Sequence, residues 1–228
     1  MESLLTNQAK VVIADDHPLF RAALKQAVVE SFTATQILET DNFTSLLTVI
    51  EQTPSLEIIF LDLHMPGNNG FTGLSQLRNH YPDLVVIMVS SDDSPEIMRK
   101  AIDLGAAAFI PKSADLVTIS SAISCVLEGE EWLPENMAVQ SQAVQENDYQ
   151  RLAKQLEQLT PQQFIVLTYI ADGQLNKQIA YDLDIKETTV KKHVSAILAK
   201  LEVNNRTLAG LAYQQLHLTS AENTTMVV

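Results

Sequence analysis

A chain of 228 residues is long enough for one large or two smaller domains, each with its own hydrophobic core. Its 46% hydrophobic and 19% charged residues are typical of globular proteins, and no apolar run approaches the roughly 20 residues that span a bilayer. The sequence shows no secretory signal, and its one cysteine, Cys125, excludes an intrachain disulfide. A cytoplasmic protein without a membrane partner is therefore expected.

The net charge of −13 argues against nucleic acid as a partner until the charge is divided along the chain. Residues 151–218 contain eight basic and six acidic residues, a balance of +2, which leaves −15 for the remainder. An acidic module is thus followed by a mildly basic one, and such asymmetry indicates two different roles.

Short apolar segments alternate with helical patterns in the first part of the chain. Strands are predicted at residues 10–14, 35–38, 58–62, 84–89 and 107–110, and helices after Pro18, around 46–50, and at 71–80, 94–104 and 113–127. Five such alternations predict an α/β fold with a doubly wound, five-stranded parallel sheet.

The second part of the chain follows a polar stretch from Glu128 to about Gln150, which is interpreted as a linker. Tyr149, Leu152, Leu156 and Leu159 have helical spacing, so an amphipathic helix is predicted at its end. Further helices are predicted at 161–172, 176–183, 188–201 and 206–217, which makes a separate all-α, four-helix domain. The predicted organisation is therefore domain 1–128, linker 129–154, domain 155–218 and a disordered tail 219–228.

Polar side chains follow four of the five predicted strands, namely Asp15 with Asp16, Asp62, Ser90 and Lys112. Asp62 alone is also compatible with an ordinary loop carboxylate, but the carboxyl ends of parallel strands meet at one edge of a sheet. Three carboxylates suit Mg²⁺, while a lysine and a hydroxyl suit an anion. Together they predict a pocket that would stabilise a phosphoryl group in transfer to a carboxylate.

Residues 9–128 resemble the receiver domain of two-component response regulators, which has a flavodoxin-like fold. The matching motifs are Asp15-Asp16-His17-Pro18-Leu19-Phe20-Arg21, Leu61-Asp62-Leu63-His64-Met65-Pro66, Ser90, Phe109 and Pro111-Lys112. The resemblance implies that Asp62 accepts phosphate from a sensor histidine kinase. It also implies that Asp15, Asp16, Asp62 and the main-chain carbonyl of His64 bind Mg²⁺. Lys112 would pair with the phosphoryl group, Ser90 would hydrogen-bond to it, and Phe109 would change position together with Ser90.

The predicted helix 188–201 has an apolar stripe on one side and polar residues, among them Lys191, Lys192 and Ser195, on the other. A short turn at 183–186 joins it to the preceding helix, which predicts a helix-turn-helix whose last helix enters the major groove. An ordinary three-helix bundle with a solvated lysine face would show the same charge pattern.

Residues 159–217 resemble the LuxR-type DNA-binding domain. The matching motifs are Leu159-Thr160-Pro161, Asn176-Lys177-Gln178-Ile179-Ala180, Thr188-Thr189-Val190-Lys191-Lys192-His193-Val194, Leu198, Lys200-Leu201 and Asn205-Arg206-Thr207. The resemblance implies that Lys191, Lys192 and Ser195 face DNA and that Lys177 and Thr189 face phosphates. The chain departs from the family pattern at five positions. Gln163 stands where Glu is usual, Leu175 and Lys186 stand where a Ser or Thr cap is usual, and Asp184 and Glu202 stand where Gly is usual. Each missing cap would cost about 1 kcal/mol.

The sequence is interpreted as a response regulator of the NarL/FixJ-like kind. Phosphorylation of Asp62 would shift the receiver, promote a homodimer and favour binding of double-stranded promoter DNA through helix 188–201. Its only chemistry would be self-phosphorylation and self-dephosphorylation, so it is not expected to be an enzyme. Two alternatives are a regulator that binds DNA without phosphate, and a phosphatase with Asp62 as nucleophile. Phosphatases of the haloacid-dehalogenase type usually have a second Asp where this chain has His64.

Overall fold

Five parallel strands in the order β2-β1-β3-β4-β5 form the sheet of the N-terminal domain in the computed structural model, which describes residues 10–32, 36–134 and 148–217. The predicted doubly wound sheet is therefore confirmed. The strands are β1 (Lys10–Ala14), β2 (Gln36–Thr40), β3 (Leu56–Asp62), β4 (Val85–Ser90) and β5 (Ala108–Pro111). The helices between and after them are α1 (Pro18–Ser31), α2 (Phe43–Gln52), α3 (Thr72–His80), α4 (Pro95–Asp103) and α5 (Leu116–Leu127).

The sheet is covered by helices on both faces, which explains its nearly continuous apolar strands. In β3, Ile58 and Phe60 point to one face with α1 and α5, whereas Ile59 and Leu61 point to the other with α2, α3 and α4. All four side chains are buried. The carboxyl end of β3, with Asp62, therefore lies at the centre of the sheet edge.

The linker begins as an extension of the sheet. The Trp132 N–H donates to the Ala107 carbonyl at 3.0 Å, and the Trp132 carbonyl accepts the Phe109 N–H at 3.2 Å. Trp132 packs on the α1/α5 face of the sheet, and its neighbour Leu133 packs on the opposite face. The first part of the predicted linker is thus a short strand-like segment beside β5, a feature that its polar composition did not indicate.

The C-terminal part is all-helical, as predicted, with α6 (Asp148–Glu157), α7 (Pro161–Ala171), α8 (Asn176–Asp182), α9 (Glu187–Lys200) and α10 (Arg206–Gln214). Phe164, Leu167, Ile179, Val190 and Ile197 form its buried centre. Helix α6 is the amphipathic helix expected at the end of the linker. The domain limits themselves stay predictions, and the tail 219–228 lies outside the described residues. None of the helices in the described ranges is long and apolar enough to cross a membrane.

Of the residues that depart from the family pattern, Leu175 and Lys186 give their helices no side-chain cap, whereas Gln163, Asp184 and Glu202 fit their local structure. Thr160 and Gln163 form a capping box, because Gln163 Oε1 accepts the Thr160 N–H at 3.0 Å and Thr160 Oγ1 accepts the Gln163 N–H at 3.3 Å. Asp184 and Glu202 have the left-handed φ angles of 50° and 54° that usually favour glycine. Glu202 is also contacted by Arg151 of α6. Glutamine therefore preserves the cap that the departure from Glu put in question.

Helix α3 of the first domain contacts the second domain. The amide nitrogen of Asn79 donates to the carbonyl of Leu156 in the last turn of α6, at 2.9 Å, and to that of Leu159 just after the helix, at 2.7 Å. The His80 ring meets the Phe164 ring edge-on, with centroids 5.9 Å apart. These contacts join segments that are far apart in sequence, so the two domains form a shared interface.

Helix α4 adds a buried cation to this interface. Lys100 is only 7% exposed, and its ammonium donates to the carbonyl of Gln215 in the C-terminal domain. The ammonium nitrogen lies 5.2 Å from the centroid of the Phe71 ring and 4.7 Å from that of the Tyr149 ring. Burial lowers the pKa of Lys100, since removal from water disfavours the charged form.

Candidate functional site

The side chains of Asp15, Asp62 and Lys112 meet at the carboxyl edge of the sheet. Lys112 Nζ lies 2.7 Å from Asp15 Oδ2 and 2.9 Å from Asp62 Oδ2. Both carboxylates are at most 1% exposed, and Asp16 lies beside them with its side chain one-third exposed. One ammonium is therefore paired with two carboxylates while a third lies beside them, which leaves the cluster with excess negative charge.

Asp62 is held by groups that favour its charged form against the effect of burial. Burial raises the pKa of Asp62, while the hydrogen bond from Lys112 and the one from the His64 backbone N–H, 3.1 Å from Asp62 Oδ1, lower it. Asn68 fixes the following loop, because its amide donates to the Asp62 carbonyl at 2.8 Å and its oxygen accepts the Gly73 N–H at 3.0 Å. Asp62 Oδ2 is therefore the oxygen that faces the cluster.

The acidic cluster can hold a metal ion. Asp15, Asp16, His17 and Asp62 each offer one ligand atom, and these four atoms lie within 4.8 Å of one another. Asp16 Oδ1 is buried and accepts no hydrogen bond from any described residue. Buried carboxylate oxygens in excess of the available donors match the oxygen ligands that Mg²⁺ prefers. The residues therefore fit the magnesium site that the sequence predicted.

Ser90 and Phe109 lie on the two strands that follow β3 in the sheet, β4 and β5. Ser90 ends β4, is fully buried, and its Oγ accepts the Asp92 N–H at 3.0 Å. Phe109 is fully buried in β5, and its backbone N–H donates to Trp132. The structure thus places Ser90 and Phe109 at the predicted positions in the sheet, whereas His64 is exposed.

Three residues that the sequence interpretation did not assign support the cluster. Arg21 Nη1 donates to the Asp15 carbonyl at 2.6 Å, and the ring of Phe20 lies under Lys112 with 5.4 Å between the ammonium and the centroid. His17 Nδ1 lies 2.6 Å from Asp16 Oδ1. All three belong to the segment after β1 that carried the resemblance. Their position in the sequence, a few residues after Asp15 and Asp16, was the signal that could have indicated their role.

A second candidate site lies on the C-terminal domain. Lys191, Lys192 and Ser195 of α9 are exposed, Lys177 of α8 is exposed as well, and Thr189 is half-buried. Lys191 Nζ forms an ion pair with Glu187 Oε1 at 3.0 Å, and the Ser195 hydroxyl donates to the Lys191 carbonyl at 3.0 Å. The polar face of α9 is therefore accessible while the two domains are in contact.

Comparison with protein-family models matches both halves of the chain. Residues 11–124 match the response regulator receiver domain, and residues 157–211 match the luxR family of bacterial regulatory proteins. The chain is a response regulator of the NarL/FixJ family. It combines a receiver domain with a LuxR-type DNA-binding domain, as the resemblances predicted.

Relatives of this response regulator share both domains over nearly their whole length. The chain is 40% identical to the glycerol metabolism activator of Pseudomonas putida over 215 residues, 92% of this chain and 97% of that protein. It is 30% identical to the nitrate/nitrite response regulator protein NarL of Escherichia coli over 213 residues, 92% of this chain and 98% of NarL. RcsB from Salmonella enterica serovar Typhimurium, solved bound to a promoter with a phosphomimetic, has the same fold at 23% identity and a TM-score of 0.53, with 92% and 98% of the two chains covered.

Proposed function

We propose that Asp62 accepts a phosphoryl group from a sensor histidine kinase in a Mg²⁺-dependent reaction, and that this modification regulates DNA binding. The observation that supports the proposal is the cluster at the sheet edge, in which Lys112 Nζ lies within 2.9 Å of a carboxylate oxygen of both Asp15 and Asp62. Asp62 Oδ2 would attack the phosphorus atom of a phosphohistidine, so that an O–P bond forms and the N–P bond breaks. Water would later hydrolyse the acyl phosphate, which makes both steps self-reactions of the regulator.

Each neighbour of Asp62 has a role in this transfer. Lys112 would neutralise charge on the phosphoryl oxygens, and the Ser90 hydroxyl, one strand away, would turn from the Asp92 amide toward the phosphoryl group. Phe109 would change position together with Ser90. The hydrogen bond from the Phe109 N–H to the Trp132 carbonyl would carry this change to Trp132. Asp15, Asp16, Asp62 and the main-chain carbonyl of His64 would hold Mg²⁺, which supplies further positive charge when bound.

Intact-mass measurement after incubation with acetyl phosphate and Mg²⁺ tests the acceptor. We expect the wild type to gain one phosphoryl group and Asp62→Asn to gain none. Asp41→Asn is the matched control, because Asp41 also follows a strand and is exposed outside the cluster. A mass gain in Asp62→Asn would show that another residue is the acceptor, and continuous release of phosphate from small esters would favour the phosphatase alternative.

We also propose that the exposed face of α9 binds double-stranded promoter DNA, with Lys191, Lys192 and Ser195 in the major groove. Lys177 and Thr189 would contact phosphates. Two copies joined after phosphorylation would bind two half-sites together, which strengthens binding without new contacts. The relatives NarL and the glycerol metabolism activator are regulators by name, which supports a role in transcription.

A salt titration of DNA binding separates the roles of the two lysines. The probe is a duplex selected from a random library by the phosphorylated chain. If Lys192 binds a phosphate, Lys192→Ala should lower the salt slope by about one, whereas removal of a base contact should cost roughly 1–3 kcal/mol and relax sequence preference. Lys191→Ala should weaken DNA binding more than Lys192→Ala does, because it also leaves Glu187 unpaired beside the DNA.

The control for charge alone is Lys25→Ala, which removes a lysine from the receiver surface. Unchanged binding by both α9 variants would refute the assignment of this face. Equal binding by the phosphorylated and unphosphorylated chains would instead favour the regulator that acts without phosphate.

A further inference from the structure

The Lys112 side chain is the flexible member of the acceptor cluster. Its backbone is fixed just after β5, because the Lys112 N–H donates to the Ser90 carbonyl at 2.7 Å. Its ammonium, however, is carried on a flexible four-carbon stem. Lys112 Nζ lies 2.7 Å from Asp15 Oδ2 and 2.9 Å from Asp62 Oδ2, and the side chain is only 9% exposed. The groups that surround this stem therefore determine where the ammonium lies.

The aromatic ring of Phe20 contacts this ammonium, with 5.4 Å between Lys112 Nζ and the ring centroid. Phe20 belongs to the first turn of α1 and packs against the buried cluster between the sheet, α1 and α5, whereas its neighbour Leu19 is 89% exposed. Arg21 ties the same turn to the end of β1, because its guanidinium donates to the Asp15 carbonyl at 2.6 Å. The position of the Phe20 ring is thus set by the start of α1 and by the core, independently of Lys112.

Phosphoryl transfer changes the partners of Lys112. In the reaction proposed above, the new O–P bond forms at Asp62 Oδ2, so this oxygen loses the negative charge that attracts the ammonium. Lys112 would then turn toward the phosphoryl oxygens and break its 2.9 Å hydrogen bond to Asp62. The face of an aromatic ring attracts a cation through the ring quadrupole, and this attraction is stronger where water is excluded. Because it needs no fixed hydrogen-bond direction, the Phe20 ring can hold the ammonium in the pocket while its hydrogen bonds change.

We infer that Phe20 is a positioning residue for phosphoryl transfer, because its ring face holds the Lys112 ammonium beside the acceptor oxygen. This inference rests on the transfer to Asp62 proposed above and adds a residue that acts through Lys112. The ring contact accelerates the transfer because it matters more once the hydrogen bond to Asp62 is lost than before. An aliphatic side chain of similar size would fill the same space but would leave the ammonium free to turn away.

The rate at which the full-length protein is phosphorylated by acetyl phosphate, followed by intact mass at saturating Mg²⁺, tests the role of the ring. We expect Phe20→Leu to slow phosphorylation about 2- to 30-fold, the range that corresponds to loss of one cation–π contact. Phe20→Tyr keeps an aromatic face and should stay within about twofold of wild type. Phe32→Leu is the matched control, because Phe32 follows the other end of α1 and packs in the same hydrophobic cluster. It should leave the rate unchanged.

Fluorinated phenylalanines incorporated at position 20 separate the effect of the ring face from that of packing. Each fluorine withdraws electron density from the ring and weakens its attraction for a cation, with little change of shape. The rate should therefore fall stepwise as fluorines are added and approach that of Phe20→Leu. Equal rates throughout this series, or an equal loss in Phe32→Leu, would show that Phe20 only packs and would overturn the inference. A wild type that gains no phosphoryl group would instead refute the proposed transfer itself, and the inference with it.

Discussion

Asn79 offers the sharpest test of the contact between the two domains. Its amide donates to the carbonyls of Leu156 and Leu159, at 2.9 and 2.7 Å. A hydrogen bond of this kind contributes about 0.5–1.5 kcal/mol, so Asn79→Ala should weaken the contact by about 1–3 kcal/mol. At 1.4 kcal/mol per factor of ten, the ratio of contacting to separated domains would fall roughly 5- to 150-fold.

Asn79→Asp should have a larger effect than Asn79→Ala. The substitution replaces two donors by a carboxylate that faces two carbonyl oxygens, and the C-terminal end of helix α6 carries partial negative charge. The result should therefore be repulsion as well as loss of two hydrogen bonds. This order of the two variants follows from geometry and does not depend on the absolute free energy.

Energy transfer between a dye on the receiver and a dye on the C-terminal domain measures the change. We expect lower transfer in Asn79→Ala and the lowest in Asn79→Asp. Gln26→Ala is the control, since Gln26 is an exposed amide on α1 that bonds within its own helix. Transfer in Asn79→Asp equal to that of wild type would show that these hydrogen bonds do not hold the domains together in solution.

Three further predictions concern backbone strain, a buried cation and the dimer. In urea unfolding, Asp184→Gly should stabilise the chain by about 1 kcal/mol through relief of left-handed strain, and Glu202→Gly by less, because it also removes the contact with Arg151; the reverse order would contradict this reasoning. Because burial lowers the pKa of Lys100 in the folded chain, wild type should gain stability relative to Lys100→Met as the pH rises through that lowered pKa toward the ordinary value of 10.5, and a constant difference would refute it. Leu19 is 89% exposed at the start of α1, and we expect it to pack against a second copy, so Leu19→Asp should reduce dimerisation of the phosphorylated chain in size-exclusion chromatography without reducing its phosphorylation.

The sheet was predictable because each strand forms a short apolar run between turn signals. Ile58 to Leu61 leads directly into Asp62, and the strand is observed at that place, Leu56–Asp62. Boundaries shifted by a residue or two, as in β4, which was predicted at 84–89 and forms at Val85–Ser90. The shift arises because apolar character marks burial, while the strand limits depend on hydrogen bonds to neighbouring strands.

The cluster was predictable only in its composition. Parallel strands bring Asp15, Asp62 and Lys112 to one edge, so their residue types and order were sufficient to predict a shared site. The contribution of His17 depends on the direction of its ring, and that of Asn68 on backbone groups five and six residues away. Side chains that bind backbone carbonyls leave no pattern in the sequence.

The interface between the domains could not be predicted for a related reason. Asn79 meets carbonyls 77 and 80 residues further along the chain, and Lys100 meets one 115 residues away. Neither residue belongs to a motif, and both would be solvated surface residues in an isolated receiver. Only the packed arrangement of the two domains shows why an ammonium is buried there.

The accessible face of α9 determines how the receiver can affect DNA binding. Lys191, Lys192 and Ser195 are exposed while the domains are in contact, so the unphosphorylated receiver should oppose DNA by its charge and not by covering this face. The segment from Tyr149 onward should therefore bind DNA more tightly than the whole chain, in which the residues outside 151–218 carry a charge of −15. Screening shortens the reach of that charge from about 10 Å at 0.1 M salt to about 3 Å at 1 M. The affinity ratio of segment to whole chain, measured by fluorescence anisotropy, should thus decline toward one as salt increases, whereas a ratio independent of salt would show that the receiver blocks the face sterically.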